Sequence, residues 1–284
     1  MAEERASRTR RLRSAARRKL GAARLLVLRA RARAVLLVES PKQYVFVVSS
    51  GRSGSTLVQG LLNAMPGVLV RGENSFYVLP FFHAHRGAAN FKRTYGARSK
   101  VSTSAFYGMA ETDPRDYPRT LRHLVIRQLI GKTNPRHVKV LGFKEVRWEQ
   151  VTPEEFEAFF TFFEQLFPHA RYVLNERDPE TVINSGQWLR VDAETARGEL
   201  ARGRDVRTFL RDTRPDRVYE TTFEVITGTD DAVKEKQLRG LAEFVLGTCD
   251  EQTLGAMRAV LDVGHGPFPF GAARKERTAG ETRA

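Results

Sequence analysis

Two short stretches of this chain combine residue types suited to holding an anion. The first, Gly51-Arg52-Ser53-Gly54-Ser55-Thr56, follows the β-branched and aromatic run Tyr44–Ser49 and leads into an apolar-periodic stretch, Thr56–Ala64, that stops at Pro66-Gly67. A buried strand passing through a Gly/Ser loop into a helix leaves several backbone N–H groups in one concavity, at the positive end of the helix dipole. Gly51 and Gly54 permit the tight turn, Ser53, Ser55 and Thr56 add hydroxyl donors, and Arg52 adds a permanent cation. Glycine and serine also build ordinary turns, so this loop alone does not decide the matter. The second stretch, Arg171–Ser185, reads as strand, turn and helix. Arg177 closes the strand, and Ser185 is expected about two turns into a helix opened by Asp178-Pro179-Glu180, so both could reach one phosphate. An arginine in such a turn often does no more than bind a loop carbonyl.

The first loop departs from the nucleoside-triphosphate pattern GxxxxGK[ST]. With Gly54 as the second glycine, Thr56 takes the hydroxyl position, but Ser55 stands where the lysine belongs and Ser49 where the first glycine belongs. A Mg²⁺-dependent kinase or ATPase would lack its cation, while the anion-binding geometry survives. Taken together, the two stretches are more specific. SSGRSGSTLVQGLLNAMPGV resembles the 5′-phosphosulfate loop of sulfotransferases that use 3′-phosphoadenosine-5′-phosphosulfate (PAPS), in its arginine form. YVLNERDPETVINS resembles the 3′-phosphate motif of the same family, and RVYETTFEVI with KQLRGLAEFVLG resembles its YEdL segment and following helix. The likeness covers roughly residues 44–247 and is strongest to the carbohydrate and bacterial branches. It implies a P-loop-like, three-layer α/β fold with a central parallel sheet flanked by helices. It also implies sulfuryl transfer from PAPS to a hydroxyl or amine, with the bisphosphate PAP as product and no metal required. Gly51, Arg52, Ser53, Gly54, Ser55 and Thr56 would hold the phosphosulfate, and Arg177 and Ser185 the 3′-phosphate.

In-line transfer needs a base at the acceptor and a donor or cation at the departing oxygen. Arg52, Ser55 and Thr56 suit the second role; Arg52 stabilises charge there but keeps its proton. Glu73, in Val70-Arg71-Gly72-Glu73-Asn74, is the first candidate for the base, and it resembles the glutamate base of bacterial carbohydrate sulfotransferases. The competing reading has Glu73 capping the next helix or pairing with Arg71. His83 and His85 are rivals, because imidazole is a natural base near neutral pH; their setting beside Phe81-Phe82 suits packing or an exposed helix face equally well. Lys144 ends the run VKVLGFK and reads as a contact to substrate or donor, or as the counter-charge of Glu145 or Glu149. Trp148 would flank a sugar face or pack in the core. Glu220 reads as structural, and Arg274-Lys275 as part of a solvated tail. The acceptor, expected to be a hydroxyl of a carbohydrate, glycolipid or small metabolite, should be chosen by residues 74–120 and 192–216. The latter and its approach are rich in arginine: Arg190, Arg197, Arg202, Arg204, Arg207 and Arg211 would form a solvated face or fork an anionic acceptor.

Elements must bring these residues together. Strands are expected at Tyr44–Ser49, Val68–Val70, Val138–Phe143, Ala170–Asn175 and near Arg217–Tyr219. Helices are expected at Thr56–Ala64, Leu121–Ile130, from a Thr152-Pro153 cap to about Phe167, from Asp178 to about Leu189, and over 231–246 and 250–261. Strand–helix alternation with short links argues a parallel sheet covered on both faces, with ligands at the carboxyl ends of its strands.

The chain has 284 residues and a formal charge of +14, which at first suggests a nucleic-acid protein. Residues 1–34 hold 12 Lys/Arg against 2 Asp/Glu, however, and leave 35–271 close to neutral, with a polar tail at 272–284. No aromatic residue interleaves the arginines of that extension, which argues against specific nucleic-acid binding. A solvated extension and a surface for anionic lipid both remain. Its apolar part, Leu25–Val38, is too short and too charged to span a membrane and has no signal-peptide pattern, so a cytoplasmic setting, with peripheral membrane contact through 1–34, is expected. The single Cys249 excludes a disulfide framework and a cysteine-based zinc site, and no metal site is expected. Two other classes compete with a sulfotransferase: a P-loop kinase-like phosphotransferase, which Ser55 opposes, and a non-catalytic nucleotide- or polyanion-binding module, which a Glu73 remote from the loop would favour. If the extension contacts lipid, the full chain sediments with anionic vesicles and residues 35–284 stay in the supernatant; equal sedimentation removes that reading.

Overall fold

A computed structural model describes residues 43–263. The expected boundaries at 34 and 271, the basic extension and Arg274-Lys275 lie outside those residues. Five strands, β1 (Gln43–Val48), β2 (Val68–Arg71), β3 (Val140–Glu145), β4 (Ala170–Glu176) and β5 (Val218–Thr222), form one parallel sheet in the order β2-β3-β1-β4-β5. The apolar run of β1 feeds both faces of the sheet, as a central parallel strand must. Tyr44, Phe46 and Val48 enter one apolar layer, and Val45 and Val47 the other.

On the first face lie α2 (Val78–Tyr95), α3 (Asp116–Ile130), α4 (Phe156–Leu166) and α6 (Ala193–Thr213). Helix α4 buries Phe156, Phe159, Phe160, Phe162 and Phe163, and the Phe46 ring lies 4.6 Å from Phe163 and 4.7 Å from Phe167. Each such ring pair contributes about 0.5–1.5 kcal/mol beyond its buried area, so this layer fixes β1 firmly. The second face is covered by α1 (Ser55–Asn63), α7 (Phe223–Thr227), α8 (Asp231–Leu246) and α9 (Glu251–Val263). The three-layer α/β architecture expected from the sequence is therefore present. Among the described residues no helix is long and apolar enough to cross a membrane.

Several elements differ from expectation: α2 and α6 were not expected, and α3 begins at Asp116 rather than Leu121. Strand β3 extends two residues further, because Lys144 and Glu145 continue the pairing with Val47 and Val48. The turn Pro153–Glu155 winds as a 3-10 turn, and α4 begins only at Phe156; the Thr152 side chain makes no capping bond. The helix opened by Asp178, α5 (Pro179–Ile183), is five residues long rather than running to about Leu189. Asn184 turns its amide back to the Glu180 carbonyl, Ser185 is extended and Gly186 has φ 58, which closes the helix. The charged region after it becomes α6, capped by the Asp192 side chain on the Thr195 amide.

Register sets the level of the strand ends: Val48 lies opposite Glu145 on one side and Leu174 on the other. The β1–β3 contact is also very close. A Cβ at Gly142 would lie 1.5 Å from the Val45 carbonyl oxygen, so no larger residue fits there. Gly142→Ala is expected to lower stability by about 3 kcal/mol or more. Urea unfolding measures this; an unchanged midpoint would mean that the strands lie further apart.

Candidate active site

The loop after β1 begins at Ser49, and its tight course is set by Ser53 N–H donating to the Ser50 carbonyl (3.4 Å), Arg52 at φ 65 and Gly54 at φ 80. Gly54 precedes α1 and offers no side chain to cap it; Leu57 N–H donates to the Gly54 carbonyl at 2.9 Å. The amides of Gly54, Ser55 and Thr56 are left without a partner among the described residues, which is the usual state of a helix N-terminus that meets an anion. Ser53 and Ser55 are buried, whereas Arg52 and Thr56 are exposed. A Cβ at Gly54 would sit 2.0 Å from the Phe223 ring, so both the positive φ and the close approach require glycine.

The second junction clasps the first. Asn175, at the end of β4, donates from Nδ2 to the Ser53 carbonyl (2.8 Å) and to its hydroxyl (3.3 Å). Arg177 Nη1 donates to the Arg52 carbonyl at 3.1 Å, and the guanidinium lies 4.4 Å over the Phe223 ring. Its Nε is buried with no partner among the described residues. Trp188 Nε1–H donates to the Gly51 carbonyl at 3.1 Å, and a Cβ at Gly186 would meet Arg52 Nε at 2.6 Å. Arg177 and the loop thus meet directly. Ser185 needs a correction: it is extended and beyond the end of α5 instead of two turns inside a helix, and its hydroxyl donates to the Val182 carbonyl at 2.9 Å. It neighbours Gly186 and so remains beside Arg52.

A third wall comes from β2 and β3. Lys144, whose side chain is 6% exposed, donates from Nζ to Glu73 Oε1 at 2.6 Å; Arg147 Nη1 lies 3.5 Å from Glu73 Oε2 and 3.0 Å from Glu145 Oε1. Lys144 therefore pairs with Glu73 and not with Glu145 or Glu149. Arg71, the partner considered for Glu73, instead donates to the carbonyls of Leu129 and Ile130. The chain after Glu73 is strained: Ser75 and Phe76 have φ 59 and 50, at about 1–2 kcal/mol each.

Other candidates lie elsewhere. Trp148 is a correction: it is fully buried, its indole N–H donates to the Glu145 carbonyl at 2.9 Å, and Phe160 stacks on it at 6.1 Å, so no ring face is open to a sugar. His83 faces Glu155 at 3.3 Å, and His85 lies 3.0 Å from the Pro114 carbonyl and stacks on Phe162; neither touches the loop, Glu73 or Lys144. Glu220 receives both N–H groups of Arg211. Of the arginines in 192–216, Arg207 is buried and reaches the site, donating to Ser50 Oγ (3.3 Å) and Glu176 Oε1 (3.2 Å). It helps to line a cavity of about 70 Å³ with Ser50, Ser53, Asn175, Arg177 and Arg204. A roomier hollow of about 380 Å³ lies apart from this chemistry, among Glu157, Glu164, Arg214 and Arg217, whose charges pair with one another. Among the described residues no cluster of His, Cys, Asp or Glu is arranged to hold a metal ion.

Glu145, Arg147, Asn175, Trp188 and Phe223 are site-building residues that the sequence did not single out. A glutamate directly after the strand lysine and an asparagine two residues before Arg177 were the visible signals. Trp188 and Phe223 had none, since their roles depend on tertiary approach.

A glycine-bearing strand–loop–helix whose first amides have no partner among the described residues, clasped by an arginine that follows the neighbouring strand, is an arrangement by which α/β proteins meet anions. The chain belongs to the sulfotransferase family, whose model matches residues 44–239. It is similar to the sulfotransferase domain of the olefin synthase of Synechococcus PCC 7002, at 20% identity and TM-score 0.47, with 76% of each chain covered. It is also similar to sulfotransferase STF9 of Mycobacterium avium, at 14% identity and TM-score 0.42, with 82% of this chain and 70% of that one covered. No curated protein matches it significantly.

Glu149, beside Arg147 in sequence, is half-buried without a side-chain partner, and burial, with Glu199 and Glu145 nearby, pushes its carboxyl up to about 7 from an ordinary 4.5. The raised value favours the neutral form in the folded state. Its contribution is complete below about pH 4.5 and is lost as pH rises through about 7, at most about 3 kcal/mol. Urea midpoints of the wild type should therefore fall over that range relative to Glu149→Gln. Parallel pH dependences of the two proteins would remove the shift.

Proposed function

We propose that this sulfotransferase moves a sulfuryl group from PAPS to a hydroxyl of a carbohydrate, glycolipid or small metabolite, with Glu73 as the base. One observation carries the reading: the amides of Gly54, Ser55 and Thr56 and the buried Nε of Arg177, all without a partner among the described residues, lie in adjoining segments joined by the Arg177–Arg52 hydrogen bond. Two adjoining groups of donors of this kind suit a ligand with a 5′-phosphosulfate and a 3′-phosphate.

When bound, the donor supplies a sulfuryl group on a phosphate leaving group. The loop amides with the Ser53, Ser55 and Thr56 hydroxyls hold the phosphosulfate; Arg177, with Ser185 beside it, holds the 3′-phosphate. Glu73 takes the proton of the acceptor hydroxyl as its oxygen bonds to sulfur. The sulfur–oxygen bond to the phosphate breaks, and the bisphosphate leaves with the electron pair. Lys144 keeps the Glu73 carboxylate in place and meets charge developing on the sulfuryl oxygens. Arg52 offsets negative charge at the departing phosphate without giving up a proton.

A screen of sugars, glycolipids and small hydroxylated metabolites with radiolabelled PAPS, read by product mass, tests the activity. Calorimetry should give binding of adenosine 3′,5′-bisphosphate and none of ATP with Mg²⁺; the reverse pattern overturns the donor. Glu73→Gln keeps an acceptor oxygen for Lys144, so bisphosphate binding should stay within about threefold while turnover falls about 10²–10⁴-fold. Near-normal turnover would remove Glu73 as the base.

A further inference from the structure

Glu145 is the last residue of β3, stands opposite Val48 in register and is fully buried. A carboxylate in that position needs donors, and it has five. Oε2 accepts from the amides of Asn74 (3.2 Å) and Phe76 (2.9 Å). Oε1 accepts from the amides of Val146 (2.9 Å) and Arg147 (3.2 Å) and from Arg147 Nη1 (3.0 Å). One oxygen therefore holds the segment that follows Glu73, and the other holds the segment that follows Lys144. Those two segments carry the 2.6 Å Glu73–Lys144 pair.

The segment after Glu73 does not keep its shape by its own preference. Ser75 and Phe76 both have positive φ, a region that L-residues avoid, and the Asn74 side-chain amide makes no hydrogen bond among the described residues. Phe76 is anchored further along by its ring, 4.9 Å from Trp148 and 5.6 Å from Phe159. Between that anchor and Glu73, the Glu145 carboxylate is the polar group that ties the backbone down.

We infer that Glu145 is a positioning residue: it fixes where the Glu73 carboxylate stands relative to Lys144, and it turns Arg147 so that one guanidinium faces both Glu145 and Glu73. This rests on the reading of Glu73 as the base. A carboxylate is required because both oxygens must accept; the amide of a glutamine would set its NH₂ against backbone N–H groups on one side. An aspartate keeps the charge but is one methylene shorter and reaches only one segment.

A double-mutant cycle tests it, with Glu145→Asp and Glu145→Gln each made alone and with Glu73→Gln. Transfer of label from PAPS is measured to the best acceptor of the screen, or to water where none exceeds water. Calorimetry with adenosine 3′,5′-bisphosphate and amide hydrogen exchange are run on the same proteins. The Glu145 variants should lower kcat about 100-fold alone and less than about threefold in the Glu73→Gln background. Bisphosphate affinity should stay within about threefold, and the amides of 74–76 should exchange at least about tenfold faster while those of 49–56 do not change. Equal losses in both backgrounds, an unchanged kcat, or loss of bisphosphate binding in both variants would overturn the inference, the last by assigning Glu145 to the fold at large. If Glu73→Gln alone turns over normally, the base reading fails separately. Exchange then decides, and unchanged protection of the Asn74 and Phe76 amides overturns the positioning role.

Discussion

The parallel pairing of β1 between β3 and β4 governs the arrangement of the molecule. With Val48 opposite both Glu145 and Leu174, β1 and β3 end level and β4 runs two residues further, so the chain leaving these strands meets in one space. The anion loop leaves the middle strand, the Lys144–Arg147 segment one neighbour and the Asn175–Arg177 segment the other. Hydrogen bonds from Asn175, Arg177 and Trp188 to the carbonyls of Ser53, Arg52 and Gly51 follow from that proximity. They turn the loop carbonyls outward to meet donors, and they leave loop amides for a ligand.

Three charged side chains are buried around this space, and desolvation decides how they are arranged. Lys144 meets the half-exposed Glu73, Glu145 is saturated by five donors, and Arg207 divides between Glu176 and Ser50. A buried ion with a partner is roughly neutral in stability, whereas one deprived of its partner costs about 3–5 kcal/mol. Such contacts therefore do little to strengthen the fold, but they penalise any other arrangement of the residues that carry them. The outcome is a preformed site, which is what in-line transfer needs when the protein cannot spend binding energy on reorganisation.

The parts of this site legible in the sequence are those written in backbone chemistry. Gly51–Thr56 after an apolar run and Arg177 at a strand end declare themselves by residue type and neighbourhood, and the sheet could be drawn from strand–helix alternation. Side-chain partners were not legible. Whether Lys144 meets Glu73, Glu145 or Glu149 depends on which face of β3 it occupies and on a loop from another strand. By residue type Trp148 suits a sugar as well as the core, and only its neighbours Phe76, Phe160 and Glu145 place it in the core. Ser185 was misplaced because local helix signals at Asp178-Pro179 start a helix but do not say where it stops; Gly186, packed against Arg52, stops it.

The position of Arg52 bears on why this loop has no lysine before Thr56. A lysine there extends from the helix start toward the terminal phosphate of a triphosphate. Arg52 instead has φ 65, and its guanidinium lies against the backbone of Gly186. Its charge therefore stands beside the turn at Gly186 and not at the start of α1. On the proposed reading that suits a ligand whose anionic groups sit at the 5′ and 3′ positions of one nucleotide. It also reframes the charge of +14 with which the chain first suggested a nucleic-acid protein. Residues 35–271 are nearly neutral, so long-range attraction supplies little. On the proposed reading, selection for an anion falls to a few arginines held by neighbouring backbone, and a bulk excess of positive charge could not replace them.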